Sequence, residues 1–207
     1  MKTLDKEAQS KITPEDSLQL LMNGNERFLQ SKKANRYFLD QVIDTATGQY
    51  PHAVILSCID SRVPVEIIFD QGIGDVFSAR VAGNFINTDI LGSMEYACKV
   101  AGSKLVMVLG HTSCGAVKGA CDNVQIGNIT PMLGNLMAAV RSTTSENGTK
   151  RDSSNSTFVN DVVKKNVELT VSNIRDRSPI LKEMEDKSEI KIVGAVYDVA
   201  DGSVTLL

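Results

Sequence analysis

The sequence predicts a single α/β domain whose central sheet is mainly parallel, with about four parallel strands, one antiparallel C-terminal strand and flanking helices. Short apolar runs alternate with helical patterns, and this alternation is typical of parallel sheets covered on both faces. The chain has 207 residues, which suits one domain with a buried core. No repeat or linker divides it, so we treat residues 1–48 as an N-terminal helical arm and residues 49–207 as the α/β core.

The N-terminal arm contains a predicted amphipathic helix at residues 14–30. Thr13 followed by Pro14 is a favourable cap and first-turn pair for this helix. Its apolar side chains recur at roughly helical spacing, at Leu18, Leu21, Met22 and Phe28. The polar stretch that follows, up to Gln49, shows no pattern that assigns it a structure.

Apolar runs mark the predicted strands of the sheet. The four parallel strands are expected at residues 53–57, 76–80, 104–109 and 190–197. The pair Asp201-Gly202 favours a hairpin, so a last strand at residues 204–207 is predicted to be antiparallel.

Helical patterns lie between these strands. We predict helices at residues 63–69, 89–100, 131–141, 158–175 and 178–186. Residues 142–157 are rich in Ser, Thr, Asn and Gly, which indicates an exposed loop.

Charge and hydropathy argue against two classes of partner. The formal net charge is −3 and the pI is about 5.5, so no basic surface for nucleic acid is indicated. No apolar run approaches the roughly 20 residues that span a bilayer, and the first residues lack the apolar segment of a secretory signal. We therefore expect a cytoplasmic protein with neither nucleic acid nor a membrane as its partner.

Cysteine and histidine are few, which limits the possible site chemistry. The chain contains Cys58, Cys98, Cys114, Cys121, His52 and His111. Without an export signal, metal binding or burial is a better expectation for these cysteines than disulfides. Cys98 and Cys121 are expected to be core or edge residues, and His52 is expected on the surface or in a capping position.

Three potential metal ligands follow two predicted strands. Cys58 comes directly after the first strand, and His111 and Cys114 follow the third. Because ligands gather at the carboxyl ends of parallel strands, we expect these side chains to converge. Cysteine and histidine are typical zinc donors, and three protein ligands leave the open fourth position of a catalytic zinc.

An acidic residue, Asp60, and a basic residue, Arg62, lie close to the first ligand in the pattern C-x-D-x-R. Arg62 offers a two-pronged match to the carboxylate of Asp60, which would hold that group ionised and aimed. Such a carboxylate could accept a hydrogen bond from a zinc-bound hydroxide, or it could move onto the zinc and block the open position.

Each of these motifs is weak by itself. A lone H-x-x-C pair seldom binds metal, a cysteine at the end of a strand is more often a buried apolar residue, and Asp-Ser-Arg is usually a turn with a surface ion pair. The order of the motifs at the ends of two predicted strands favours the metal site.

This combination of motifs resembles the signature of beta-class carbonic anhydrases. The matching segments are Cys58-Ile-Asp60-Ser-Arg62, Gly74-Asp75-Val-Phe77, Arg80, Ala82-Gly83-Asn84, Glu95-Tyr96-Ala97, Gly110-His111-Thr-Ser-Cys114-Gly115 and Lys118-Gly119. The resemblance covers residues 14–141 well and residues 193–207 more loosely.

The resemblance implies a zinc enzyme that interconverts CO₂ and bicarbonate through attack of zinc-bound hydroxide on CO₂. It implies one Zn²⁺ per chain, held by Cys58, His111 and Cys114, with Asp60 and Arg62 as the catalytic dyad. The residues that it assigns to the substrate pocket are Gln49, Phe77, Gly83 and Tyr96.

The resemblance also implies a homodimer or a dimer of dimers, because the family's active site lies at a dimer interface. One of the pocket's aromatic residues then comes from the partner subunit, and the N-terminal helix embraces that subunit. The family often has Ala-Asn where this chain has Gly83-Asn84. Some members carry an inhibitory bicarbonate site built around a tryptophan, but Ile55 occupies that position here and the chain has no tryptophan. We therefore do not expect regulation through such a site.

Two other functions remain open at this point. A carbon disulfide or carbonyl sulfide hydrolase would use the same scaffold and zinc motif, so only assays of both activities separate it from a carbonic anhydrase. A non-enzymatic zinc module would have a closed site of four ligands and no positioned acid, and the Asp60–Arg62 pair argues against it.

Overall fold

The computed structural model describes residues 3–145 and 149–207, and in these ranges the strands form one five-stranded sheet. The strands are β1 (Ala53–Ser57), β2 (Val76–Arg80), β3 (Leu105–His111), β4 (Lys191–Tyr197) and β5 (Val204–Leu206). Their order is β2-β1-β3-β4-β5, and only the pairing of β4 with β5 is antiparallel. The predicted α/β class, with four parallel strands and an antiparallel C-terminal strand, is confirmed.

Ten α-helices flank the sheet in the described ranges. They are α1 (Lys6–Lys11), α2 (Pro14–Leu29), α3 (Phe38–Thr45), α4 (Val65–Ile68), α5 (Thr88–Glu95), α6 (Gly115–Cys121), α7 (Ile129–Gly134), α8 (Met137–Ser142), α9 (Ser156–Arg177) and α10 (Pro179–Asp186). A π-helical turn, Tyr96–Val100, continues α5. None of the helices described here is both long enough and apolar enough to cross a membrane.

Several helices differ from the sequence prediction. The sequence indicated neither α1 nor α3, and it missed α6, in which Gly115 and Gly119 lower the helix propensity. The helix predicted at residues 131–141 is two helices, because the Asn135 side chain donates to the Pro131 and Met132 carbonyls and competes with the backbone pattern. In the predicted loop at 142–157, residues 143–145 and 149–155 contain no helix or strand, and residues 146–148 lie outside the described ranges.

The helix of the N-terminal arm begins as predicted. Thr13 and Asp16 form a reciprocal capping box around Pro14, which fixes the first turn of α2. Farther along α2, the Asn25 side chain donates to the Ile68 and Gly202 carbonyls. The arm is therefore tied to the core by polar contacts as well as by its buried apolar side chains.

His52 also ties α2 to the core, and its predicted surface position is wrong. It is 2% exposed. Its Nδ1 lies 2.8 Å from Ser17 Oγ of α2, and its Nε2 lies 3.1 Å from Gln71 Oε1. Burial lowers the pKa of this imidazole, so the side chain is neutral at physiological pH and acts as a structural link.

Both faces of the sheet are buried, which explains the continuous apolar runs of β1 and β3. One face packs on α2 and α4 through Ala53, Ile55, Leu105, Met107 and Leu109. The other face packs on α5, α9 and α10 through Val54, Leu56, Val106 and Val108. The sheet is therefore a rigid base for the loops at its carboxyl edge.

Two glycines allow α9 to pack directly on the backbones of β3 and β4. A Cβ atom at Gly110 would lie 2.6 Å from Val167 Cγ2, and one at Gly194 would lie 2.7 Å from Val167 Cγ1. Real Cβ atoms do not approach other carbons so closely, so both strands need glycine at this level. The contact places α9 beside the ends of the strands that carry the candidate site.

Replacing Gly194 with Ala should lower the free energy of unfolding by about 1–3 kcal/mol, because the added methyl group overpacks the contact with Val167. In a Val167→Ala background the same substitution should cost less, so the two free-energy changes should not add. Gly134→Ala is the control, since nothing lies within 4 Å of a Cβ at that position. Chemical denaturation of the single and double variants tests this, and simple additivity would contradict the close contact.

Candidate metal centre

The three predicted ligands converge at the carboxyl edge of the sheet. Cys58 follows β1, His111 is the last residue of β3, and Cys114 is the N-terminal capping residue of α6. Their donor atoms all lie within 4.8 Å of one another, and all three residues are buried. The parallel pairing of β1 with β3 produces this convergence, because it brings the ends of both strands to the same edge.

The imidazole of His111 is held with one nitrogen aimed into the cluster. Its Nδ1 lies 2.9 Å from the Thr112 carbonyl, which can only accept, so Nδ1 carries the proton. Nε2 is then left with a free lone pair. That atom is buried and has no hydrogen-bond partner among the described residues. A metal-ligating histidine is usually held in this way by a carbonyl on its other nitrogen.

The two thiols lie close enough together for one cation to bind both as thiolates. Their Sγ atoms are 4.0 Å apart. The hydrogen bond with Cys114 is the main cause that lowers the pKa of Cys58, and the same contact, together with burial, raises the pKa of Cys114. A divalent cation at this point would favour two thiolates. This donor set fits zinc.

Asp60 and Arg62 form the predicted pair beside this cluster. Arg62 Nε lies 3.0 Å from Asp60 Oδ1, Arg62 Nη2 lies 2.8 Å from Oδ2, and the Arg62 backbone N–H also donates to Oδ1. The hydrogen bonds from Arg62 are the main cause that holds the pKa of Asp60 well below its usual range. Oδ2 lies 3.9 Å from His111 Nε2. An ionised carboxylate thus faces the cluster at neutral pH.

Arg80 fixes the loop that carries both Cys58 and Asp60. Its Nε donates to the Cys58 carbonyl at 2.9 Å, and its Nη2 donates to the Asp60 carbonyl at 2.7 Å. Sequence reasoning assigned Arg80 no role. The signal was its position as the last residue of β2, which pairs with Ser57 at the end of β1.

Gly83, which was assigned to the substrate pocket, lies in a turn against the cluster. Its N–H points at Cys58 Sγ, with an N···S distance of 3.4 Å. Its φ is +83°, and a Cβ atom there would lie 2.8 Å from Leu136 Cδ1, so both conformation and space favour glycine.

The other three residues that the sequence assigned to the pocket are not brought to the cluster within one chain. Gln49 is exposed and precedes the amino end of β1, whose five residues span about 17 Å before Cys58. Phe77 pairs with Val54 near that same end. The Phe77 ring contacts that of Tyr96, with centroids 6.3 Å apart, and Tyr96 is 53% exposed. Phe77 and Tyr96 line a surface groove of about 720 Å³ instead.

Comparison with known proteins identifies the family. A family model described as carbonic anhydrase matches residues 53–204. Carbonic anhydrase 2 of Mycobacterium tuberculosis is 36% identical over 90% of this chain and 89% of that protein. The solved beta-carbonic anhydrase CafA of Aspergillus fumigatus is 27% identical, with a TM-score of 0.71 over 82% of this chain and 81% of that one. A Coccomyxa beta-carbonic anhydrase in complex with acetazolamide is 25% identical, with a TM-score of 0.70 over 92% and 86%. The chain therefore belongs to the beta class of the carbonic anhydrase family.

Proposed function

We propose that the chain interconverts CO₂ and bicarbonate with one zinc ion, held by Cys58, His111 and Cys114. The observation that carries this proposal is the buried cluster of three donor atoms within 4.8 Å of one another. His111 Nε2 has no hydrogen-bond partner among the described residues, and such a buried nitrogen is costly unless a ligand satisfies it.

Zinc held at this site would supply a Lewis acid, which lowers the pKa of water toward neutral pH and so makes a nucleophile available. The residues that would hold the ion are Cys58, His111 and Cys114. Two thiolates would balance the charge of the ion, so the protein need supply no further anionic ligand.

Asp60 orients the nucleophile, and Arg62 orients Asp60. The Asp60 carboxylate stays ionised, so it accepts a hydrogen bond and donates none. The side chain and the backbone N–H of Arg62 both donate hydrogen bonds to the Asp60 carboxylate. These bonds keep the carboxylate beside the cluster and off the metal. CO₂ is small and apolar and offers little binding energy, so the rate depends on this alignment.

A second subunit completes the pocket. Gln49, Phe77 and Tyr96 lie toward the other end of the sheet from their own cluster, so these residues serve the metal centre of a neighbouring chain. Gln49 of the partner subunit donates a hydrogen bond to the oxygen that gains charge. Helix α3 supports such an assembly, because its apolar side chains are exposed at Phe38, Leu39, Val42 and Ile43. The assembly is a homodimer or a dimer of dimers.

The remaining alternatives gain no support from the site. A positioned, ionised carboxylate beside a three-ligand cluster serves no purpose in a structural zinc module. No feature of the described residues favours carbon disulfide or carbonyl sulfide as the substrate. The cytoplasmic location stays a prediction from the sequence.

Wild-type protein should contain about one zinc per chain, and Cys114→Ser should lose most of it, because a neutral hydroxyl replaces a thiolate. Cys98→Ser is the matched control, since Cys98 is equally buried but lies outside the cluster. Metal analysis after dialysis measures both. Full zinc in the Cys114 variant would show that the ligand set is wrong.

Asp60→Asn should lower CO₂ hydration by roughly 10²-fold or more, which is the usual scale for losing one acid-base or orienting group. Zinc should stay bound, because Asp60 is not one of the three ligands. Arg62→Ala should have a similar effect by releasing Asp60. Stopped-flow assays with confirmed metal content are the measurement, and near-normal turnover by the Asp60 variant would refute this mechanism.

Sites shared between subunits can be tested by mixing two inactive variants. A hybrid of an Asp60→Asn chain and a Gln49→Ala chain should contain one intact site, because the intact dyad of one chain meets the intact glutamine of the other. Activity should therefore rise above that of either variant after the chains are dissociated and reassociated. If mixing restores no activity although hybrids form, Gln49 does not act across the interface.

A further inference from the structure

Asn166 is a buried polar residue in the apolar face of α9. The side chains around it on this face include Val159, Val162, Val163, Val167 and Val171, which are all buried. Asn166 is 4% exposed. An amide in such surroundings destabilises a protein unless it is hydrogen-bonded, so its partner is informative.

The partner of Asn166 is the backbone of the turn beside the metal centre. Its Nδ2 donates to the Gly83 carbonyl at 2.9 Å, and this bond links residues that are 83 positions apart. The turn is closed by a bond of 2.9 Å from the Asn84 N–H to the Val81 carbonyl. The Gly83 N–H faces Cys58 Sγ. One residue, Gly83, is therefore held by α9 through its carbonyl and contacts a zinc ligand through its N–H.

Within the turn itself, the backbone hydrogen bond from Asn84 to Val81 is the contact described above that holds its conformation. Gly83 and Asn84 both have positive φ, at +83° and +42°, a region that most residues with a side chain avoid, although asparagine tolerates it better than most. Asn84 Nδ2 is buried without a hydrogen-bond partner in the described part of the chain, so it does not brace the turn. The Asn166 amide is the buried side chain that fixes the Gly83 carbonyl in place.

We propose that Asn166 is a positioning residue for the zinc site, because it holds the turn whose Gly83 N–H donates to Sγ of Cys58. This inference rests on the proposed function, since it requires zinc at Cys58. A hydrogen bond from an N–H orients the thiolate ligand. It also withdraws negative charge from the sulfur and so changes the charge that the sulfur can donate to the metal. Such outer contacts commonly change metal affinity by roughly 10- to 100-fold.

Asn166→Leu tests the inference, because leucine keeps the approximate volume and removes the donor. Zinc affinity, measured by competition with a chelator, should fall by roughly 10- to 100-fold. The thiolate-to-metal charge-transfer band of the cobalt-substituted protein should also shift, because the bonding of Cys58 changes. Unchanged affinity together with an unchanged band would overturn the proposal.

Thr170→Val is the matched control. Thr170 is also buried on the inner face of α9, about one turn farther along the helix. This variant should alter stability without altering zinc affinity or the cobalt spectrum. An equal loss of affinity in the Thr170 variant would overturn the proposal, because the effect would then come from disturbing α9 in general.

Two further measurements keep the test decisive. If Asn166→Leu does not fold, Asn166→Ser replaces it, because a serine hydroxyl is too short to keep the same contact and adds no bulk. The same criteria then apply to its zinc affinity and cobalt band. Loss of zinc in Cys114→Ser with no change in the Asn166 variants would refute this inference and leave the proposed function standing. Retention of zinc in Cys114→Ser would refute both.

Discussion

Burial of two thiols and an imidazole at one point is the constraint on which the rest of the structure depends. Protein partners leave this group of donors incompletely satisfied, because His111 Nε2 is buried and has no hydrogen-bond partner among the described residues. A divalent cation satisfies all three at once and makes their burial favourable. The sheet holds the three groups in this arrangement, because it is buried on both faces and brings the ends of β1 and β3 to the same edge.

The loops around the cluster are restrained from several directions. Arg80 of β2 binds the carbonyls on both sides of Ile59, and Arg62 holds the carboxylate of Asp60. Helix α9 contributes Asn166, which donates a hydrogen bond to the Gly83 carbonyl in the adjacent turn. Helix α9 can do this because glycines in β3 and β4 let it approach both strands closely. The close packing of α9 on the sheet therefore also determines the geometry of the loops around the cluster.

The separation of the proposed pocket residues Gln49, Phe77 and Tyr96 from the cluster has a different origin. Gln49 precedes the amino-terminal end of β1 and Phe77 lies near that of β2, whereas ligands gather at the carboxyl ends. A parallel strand places its two ends on opposite edges of the sheet, so one chain cannot use both at a single site. The exposed apolar residues of α3 and the exposed ring of Tyr96 fit an assembly in which a second chain supplies what the first lacks.

The sequence by itself determined the fold class, the strand positions, the three candidate ligands and the Asp60–Arg62 pair. Each of these depends on a local pattern, or on the rule that parallel strands end at one edge. Only the tertiary structure decided that His52 is buried, that residues 129–142 form two helices, and that Arg80 and Asn166 brace the site. These features depend on contacts between residues far apart in the chain, such as the 83 positions between Gly83 and Asn166, and no local pattern encodes such a contact.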